Sequence, residues 1–211
     1  VAFIYFCGCD NPKMDNRLQL ILGSSSPFRK ELLERLQLPF TTCSPEVDET
    51  PLKDEKPKDL SLRLSILKAQ AVAAQHPDCV VIGCDQVLEL DGKPLGKPGC
   101  FEKAFEQLSA MSGKEVVFHS AMTVIDAKGN VSSTVVPTEI KMRDLPPEAI
   151  RRYLEIEKPF RCAGSAKIEK LGIALIAECR SSDPTAIIGL PLIELTTMLA
   201  KAGISVLPEL R

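Results

Sequence analysis

Five short segments of the chain carry side chains suited to a phosphorylated substrate. The first is Gly23–Ser24–Ser25–Ser26–Pro27–Phe28–Arg29. It joins an apolar run, Leu18–Leu22, to a stretch with Leu32, Leu33 and Leu36 at helical spacing, so it reads as a strand-to-helix turn. Free backbone N–H groups and the helix dipole favour an anion there. Serine hydroxyls add donors, and the Arg29 guanidinium can grip phosphate with paired hydrogen bonds. Plain N-capping by serine needs no ligand, so the turn alone does not decide between the two. The second segment, Pro45–Glu46–Val47–Asp48–Glu49–Thr50–Pro51, crowds three carboxylates into a proline-bounded loop. Mg²⁺ commonly takes one or two carboxylates together with substrate phosphates; a solvated acidic loop is the alternative.

The third segment is Gly83–Cys84–Asp85–Gln86, directly after the apolar run Cys79–Gly83. An aspartate at the C-terminal mouth of a central strand stands where α/β sheets bind ligands. There it can bind a cation, act as a base or close an Asx turn. The fourth, Gly96–Lys97–Pro98, offers a lysine point charge for phosphate oxygens on a stiffened loop. The fifth, Cys162–Ala163–Gly164–Ser165–Ala166–Lys167–Ile168–Glu169, is a small-residue stretch closing on Lys167 and Glu169. Neither histidine, His76 or His119, is assigned to catalysis.

The elements that must position these residues follow from periodicity. Strands are expected at Leu18–Leu22, Phe40–Cys43 and Cys79–Gly83, and Val87–Leu90 with the Asp91–Gly92 turn reads as a hairpin or a strand extension. An antiparallel hairpin, Val116–Asp126 with Val131–Met142, turns at Lys128–Gly129–Asn130. A late strand is expected at Gly172–Ile176. Leu60, Leu64, Leu67, Ala71 and Ala74 form an apolar stripe on a long helix ending before Pro77. Further helices are expected at Phe101–Met111, after Pro146–Pro147 with Ile150, Tyr153 and Leu154 inward, and at Leu190–Lys201. The fold class is α/β with parallel and antiparallel strands.

Composition sets the outer bounds. The 211 residues suit one domain, and a net charge of −2 argues against a nucleic-acid polymer or a polybasic membrane anchor. Eight cysteines include no C-x-x-C pair, and with two histidines no zinc pattern arises. Scattered cysteines with apolar neighbours read as free thiols of a cytoplasmic protein. The apolar segment Val1–Cys9 falls short of the ~20 residues needed to span a bilayer. Residues 1–13 are expected to be an extension, and 14–211 a single domain.

In their order, these segments resemble the Maf family of house-cleaning nucleotide pyrophosphatases. The likeness runs from Leu18 to about Leu199. It rests on Ser24-x-Ser26-Pro27-x-Arg29, Glu46–Val47–Asp48–Glu49, Lys68–Ala69–Gln70, Gly83-x-Asp85, Gly96–Lys97–Pro98, Ala163–Gly164 and Gly189–Leu190–Pro191–Leu192. The resemblance implies hydrolysis of a nucleoside triphosphate to the monophosphate and pyrophosphate. It implies an elongated mixed sheet with a cleft between two lobes, similar to the Ham1 (inosine triphosphatase) fold, and a homodimer. By resemblance, Asp85, Lys97 and Glu49 are catalytic. Glu49 and Asp85 hold Mg²⁺, Mn²⁺ or Co²⁺. Ser24, Arg29 and Lys68 bind the phosphates. Phe28, Gln86 and Glu169 stand at the substrate-selecting positions and look like the branch acting on 7-methyl-GTP, which usually has Trp where Phe28 stands. An aromatic face and a carboxylate both attract a cationic base. Two other readings are a dTTP/UTP pyrophosphatase of the same family and a non-catalytic nucleotide-binding regulator of cell division.

Overall fold

A computed structural model describes residues 18–208. The expected extension over 1–13 lies outside the described residues, as do 14–17 and 209–211 at the ends of the expected domain. The elements in chain order are β1 (Leu20–Gly23), α1 (Pro27–Glu34), β2 (Thr41–Cys43), α2 (Pro57–Ala73), β3 (Val80–Leu90), β4 (Lys93–Leu95), α3 (Phe101–Met111), β5 (Glu115–Ile125), β6 (Val131–Met142), α4 (Pro147–Glu157), β7 (Ile176–Ser181) and α5 (Leu192–Lys201). The strands form one sheet in the order β2-β1-β3-β5-β6-β7, with β4 also paired to β3. β1 runs parallel to β2 and β3, and the remaining pairings are antiparallel. Among the described residues no helix is long and apolar enough to cross a membrane.

Val87–Leu90 extends the strand expected at Cys79–Gly83 into one continuous β3, and the Asp91–Gly92 turn joins it to β4 as a hairpin. The first half of β3 pairs with β1 through Gly23↔Gly83, and its end pairs with β4 from Leu88 onward. Between them, among the described residues, Cys84–Val87 has β5 on one side and no strand on the other. Asp85 therefore sits beyond the mouth of the parallel strands but inside a longer strand, which excludes the Asx-turn reading.

Helix α2 lies across β3 and β5, but not on its expected stripe. Leu60 and Leu64 face inward, while Leu67 and Ala71 are only half-buried and Ala74 is exposed. The buried face is rotated to carry Ser61, Ser65, Lys68, Ala69 and Val72. Polar contacts with the sheet explain the rotation: Ser65 Oγ lies 2.9 Å from Thr123 Oγ1, and Lys68 reaches Asp85. Gly83 permits the close approach, because a side chain there would collide with the backbone of Ser65 and Ala69.

The late strand is also displaced. Leu171–Leu175 is a tight 3-10 turn, and β7 follows it over Ile176–Ser181. Gly172 N–H donates to Lys167 O at 2.9 Å, folding this segment back on itself. Only Ile176 of β7 is buried, so an exposed edge strand left no alternation to read. Helix α5 starts at Leu192 because Asp183 Oδ2 accepts from Ile193 N and Thr185 Oγ1 accepts from Leu192 N, satisfying its first N–H groups.

Two buried cores share the sheet. One gathers Leu22, Leu32, Leu33, Ile82, Leu190, Leu195 and Leu199 from β1, α1, the start of β3, and α5 with the turn before it. The other gathers Leu88, Leu108, Met111, Phe118, Ile150 and Leu154 from α3, α4 and the far ends of β3 and β5. Cys84 closes the first core, and Asp85–Val87 falls between the two. The six described cysteines are free thiols.

Candidate active site

The centre of the site is an ammonium between two carboxylates. Lys68 Nζ lies 2.6 Å from Asp85 Oδ1 and 2.6 Å from Glu49 Oε1. Lys68 comes from the sheet-facing side of α2, Asp85 from the unpaired stretch of β3, and Glu49 from the loop between β2 and α2. Lys68 and Asp85 are buried, whereas the Glu49 side chain is half-exposed. Burial alone would raise the Glu49 carboxyl. The hydrogen bond and charge of Lys68, with Lys97 and Arg29 adding to them, instead hold it below the usual glutamate range.

Arg29 enters from the first turn of α1. Its Nε donates to Gly189 O at 3.0 Å and its Nη1 to Cys84 O at 3.1 Å. The guanidinium thus bridges the turn before α5 and the open edge of β3. Ser26 is the N-cap of α1 and accepts from Arg29 N at 3.4 Å. Ser24 is buried and accepts from Ser26 N at 3.2 Å. Capping is therefore real for this turn, and it fixes the helix start that carries Arg29. Phe28 is half-buried in the same first turn.

Lys97 lies on an exposed loop braced at both ends. Gly96 O accepts from Gly164 N at 3.3 Å and from Gln107 Nε2 at 3.0 Å, and Gly99 N donates to Phe160 O at 2.9 Å. Gly164 has φ +61°, and a side chain there would strike Leu88, so this crossing needs a glycine. The segment leading to Glu169 is held by Tyr153: its hydroxyl donates to Ser165 O at 3.0 Å and accepts from Lys167 N at 2.9 Å. Lys167 turns away from the cleft and donates to Glu157 O at 2.9 Å. Glu169 is half-buried, and burial, with the neighbouring Glu157 charge, pushes its carboxyl up despite the opposing Lys167.

Gln86 does not present its whole carboxamide to the cleft. Its Nε2 lies 2.9 Å from Ser120 Oγ, 3.2 Å from Ala186 O and 2.9 Å from Ile187 O. That fixes the amide orientation and leaves Oε1 as the end without a partner among the described residues. The sequence reading missed the turn Asp183–Gly189, which receives both Gln86 and Arg29. Asp183 is buried and accepts from Thr185 N, Thr185 Oγ1 and Ile193 N. The signal was present as Asp183–Pro184–Thr185, a turn signature ahead of Gly189.

Lys68 thus links Glu49 and Asp85, with Arg29 and Lys97 near enough to act on the Glu49 charge. Both Glu169 and Lys97 act on the Cys162 thiol, which burial pushes up, Glu169 raises further and Lys97 lowers. His119 stands apart, 2.6 Å from Glu89. Among the described residues no three acidic, histidine or cysteine side chains form a metal cluster. Two carboxylates converging on one cationic atom nevertheless fit a hard divalent ion whose other ligands are phosphate oxygens and water.

Similar proteins agree with this architecture. A protein named 7-methyl-GTP pyrophosphatase from Bordetella pertussis is 58% identical over 186 residues, covering 88% of this chain and 93% of that protein. A protein of the same name from Cupriavidus pinatubonensis is 54% identical, covering 88% and 94%. One from Thiobacillus denitrificans is 53% identical, covering 89% and 94%. The solved HAM1 protein from Coxiella burnetii matches with a TM-score of 0.53 at 18% identity, over 87% of this chain and 99% of that one, a likeness of fold. The family model described as Maf-like protein matches residues 19–202. This chain belongs to the Maf family.

Proposed function

We propose that the protein is a metal-dependent nucleoside triphosphate pyrophosphatase acting on 7-methyl-GTP, releasing the monophosphate and pyrophosphate. The observation that carries the reading is the Glu49–Lys68–Asp85 cluster on the open edge of β3, facing the helix start that bears Arg29. The names of the relatives support the substrate. Glu49 and Asp85 would hold Mg²⁺, Mn²⁺ or Co²⁺. Bound there, the ion supplies charge neutralisation across the phosphates and polarises water. Asp85 orients the attacking water towards the α-phosphorus and accepts its proton. The bond from that phosphorus to the bridging oxygen breaks, and pyrophosphate departs.

Arg29, Lys68 and Lys97 oppose the charge that builds on the phosphates and the leaving group. Ser24 and the first N–H groups of α1 bind phosphate oxygens. Phe28 stacks on the base, Glu169 faces its positive charge, and Gln86 Oε1 accepts from its N–H groups. The protein acts in the cytoplasm as a homodimer, which sedimentation velocity would measure. The decisive experiment incubates it with 7-methyl-GTP, GTP, dTTP and UTP, with and without Mg²⁺ or Mn²⁺. Products are identified by ³¹P NMR. The expected result is metal-dependent pyrophosphate release, fastest from 7-methyl-GTP, and lowered by about 10²–10⁴-fold in a folded Asp85→Asn variant. Orthophosphate as the first product, or undiminished turnover by Asp85→Asn, would reject the reading.

A further inference from the structure

We propose that Arg63 is a positioning residue that staples the Glu49 loop to helix α2 and so sets where that carboxylate stands in the cleft; this deepens the pyrophosphatase reading and rests on it. Residues 44–56 have no regular structure, and apart from the Glu55 side chain they lie exposed or half-exposed. Such a loop makes too little buried contact to hold one side chain still. Arg63, on α2, supplies the missing anchor. Its Nε donates to Glu55 Oε1 at 2.6 Å and its Nη2 to Glu55 Oε2 at 2.8 Å. The same Nη2 donates to Thr50 O at 3.0 Å, one residue from Glu49. Glu55 Oε2 also accepts from Leu52 N at 2.9 Å, and Asp48 Oδ1 accepts from Thr50 N at 2.9 Å.

The staple is unlike an ordinary surface ion pair. The Glu55 side chain is only 8% exposed, and the guanidinium contacts both of its oxygens. Bidentate geometry and burial separate such a pair from exposed ones that contribute little. Arg63 makes no hydrogen bond or ion pair with Glu49, Lys68 or Asp85, and the Asp85 charge is the weakest of the influences on its guanidinium, so its main influence on the cluster runs through the loop. A lysine at 63 would keep the charge but could not hold two carboxylate oxygens and a carbonyl in one plane.

The test compares wild type, Arg63→Lys, Arg63→Met, Glu49→Gln and the Arg63→Met/Glu49→Gln double variant with 7-methyl-GTP as substrate. Trypsin nicking after exposed Lys53 reports the loop without reference to activity. Arg63→Met should lower kcat by about 10- to 100-fold, the scale of an ångström's misplacement. It should speed nicking at Lys53 and leave the thermal midpoint within a few degrees of wild type. Arg63→Lys should fall between, and in the Glu49→Gln background Arg63→Met should cost less than about twofold, as coupled residues do. If Arg63→Met does not fold, Arg63→Lys and Glu55→Gln carry the same comparison. An active wild type with multiplying losses in the double variant, or with unchanged nicking, overturns the staple alone. A wild type inert on every nucleotide overturns the functional reading, and the role given to Glu49 with it.

Discussion

Lys68 is the residue on which the charge balance of the cleft turns. Its ammonium touches Glu49 and Asp85 at the same distance, and together with Lys97 and Arg29 it outweighs the burial that would otherwise raise the Glu49 carboxyl. The sign of its removal follows. In Lys68→Met the burial contribution remains and the largest lowering influence is gone, so the Glu49 pKa rises. Glu49 then loses its charge at a higher pH as acid is added. The acidic limb of the kcat/KM profile should move to higher pH than in wild type, which a pH series on the two proteins would measure; an unmoved limb would remove Glu49 from the ionisations that matter. Asp85 and Lys97 were legible in the sequence because each follows a recognisable punctuation, an apolar run in one case and a Gly–Pro frame in the other. Arg63 was not, because its partners lie eight and thirteen residues away in a loop without period.

Helix α2 and strand β3 form the pair of elements that makes the site. The helix was plain from its length and leucines, yet its orientation was not. An apolar stripe argues for a face only when polar residues stay outside, and here Ser61, Ser65 and Lys68 go inside because Thr123 and Asp85 meet them. Gly83 sets how near the two elements come. Gly83→Ala must push Ser65 and Ala69 away from the sheet, and overpacking of this kind typically destabilises by about 1–3 kcal/mol. It should also lower kcat, because Lys68 moves with the helix. Urea unfolding and steady-state kinetics on one variant would check both, and a stable, fully active Gly83→Ala would contradict the close packing. The far end of β3 was legible as a strand extension with a hairpin turn, whereas the residues joining it to the first apolar run were not, because Cys84–Gln86 breaks the apolar pattern.

Across the whole molecule, β3 and β5 run through both buried cores, so neither lobe has a sheet of its own. Unfolding should accordingly be one event. Leu22→Ala in one core and Leu108→Ala in the other should each destabilise by about 2–5 kcal/mol, and both should shift the same single transition in circular dichroism. A biphasic melt, with each substitution moving a different phase, would mean the lobes fold independently. The resemblance of ordered motifs made this architecture readable as a family, whereas the contacts joining residue 86 to 186 and 29 to 189 span distances along the chain that no local pattern encodes. Strand alternation turns the N–H and C=O of Cys84 and Gln86 towards the edge that no strand covers, and Arg29 already uses the Cys84 carbonyl. An inhibitor built to pair with the peptide groups of Gln86 would engage atoms that every amino acid except proline supplies in full, so resistance by point substitution would have little to act on at that contact.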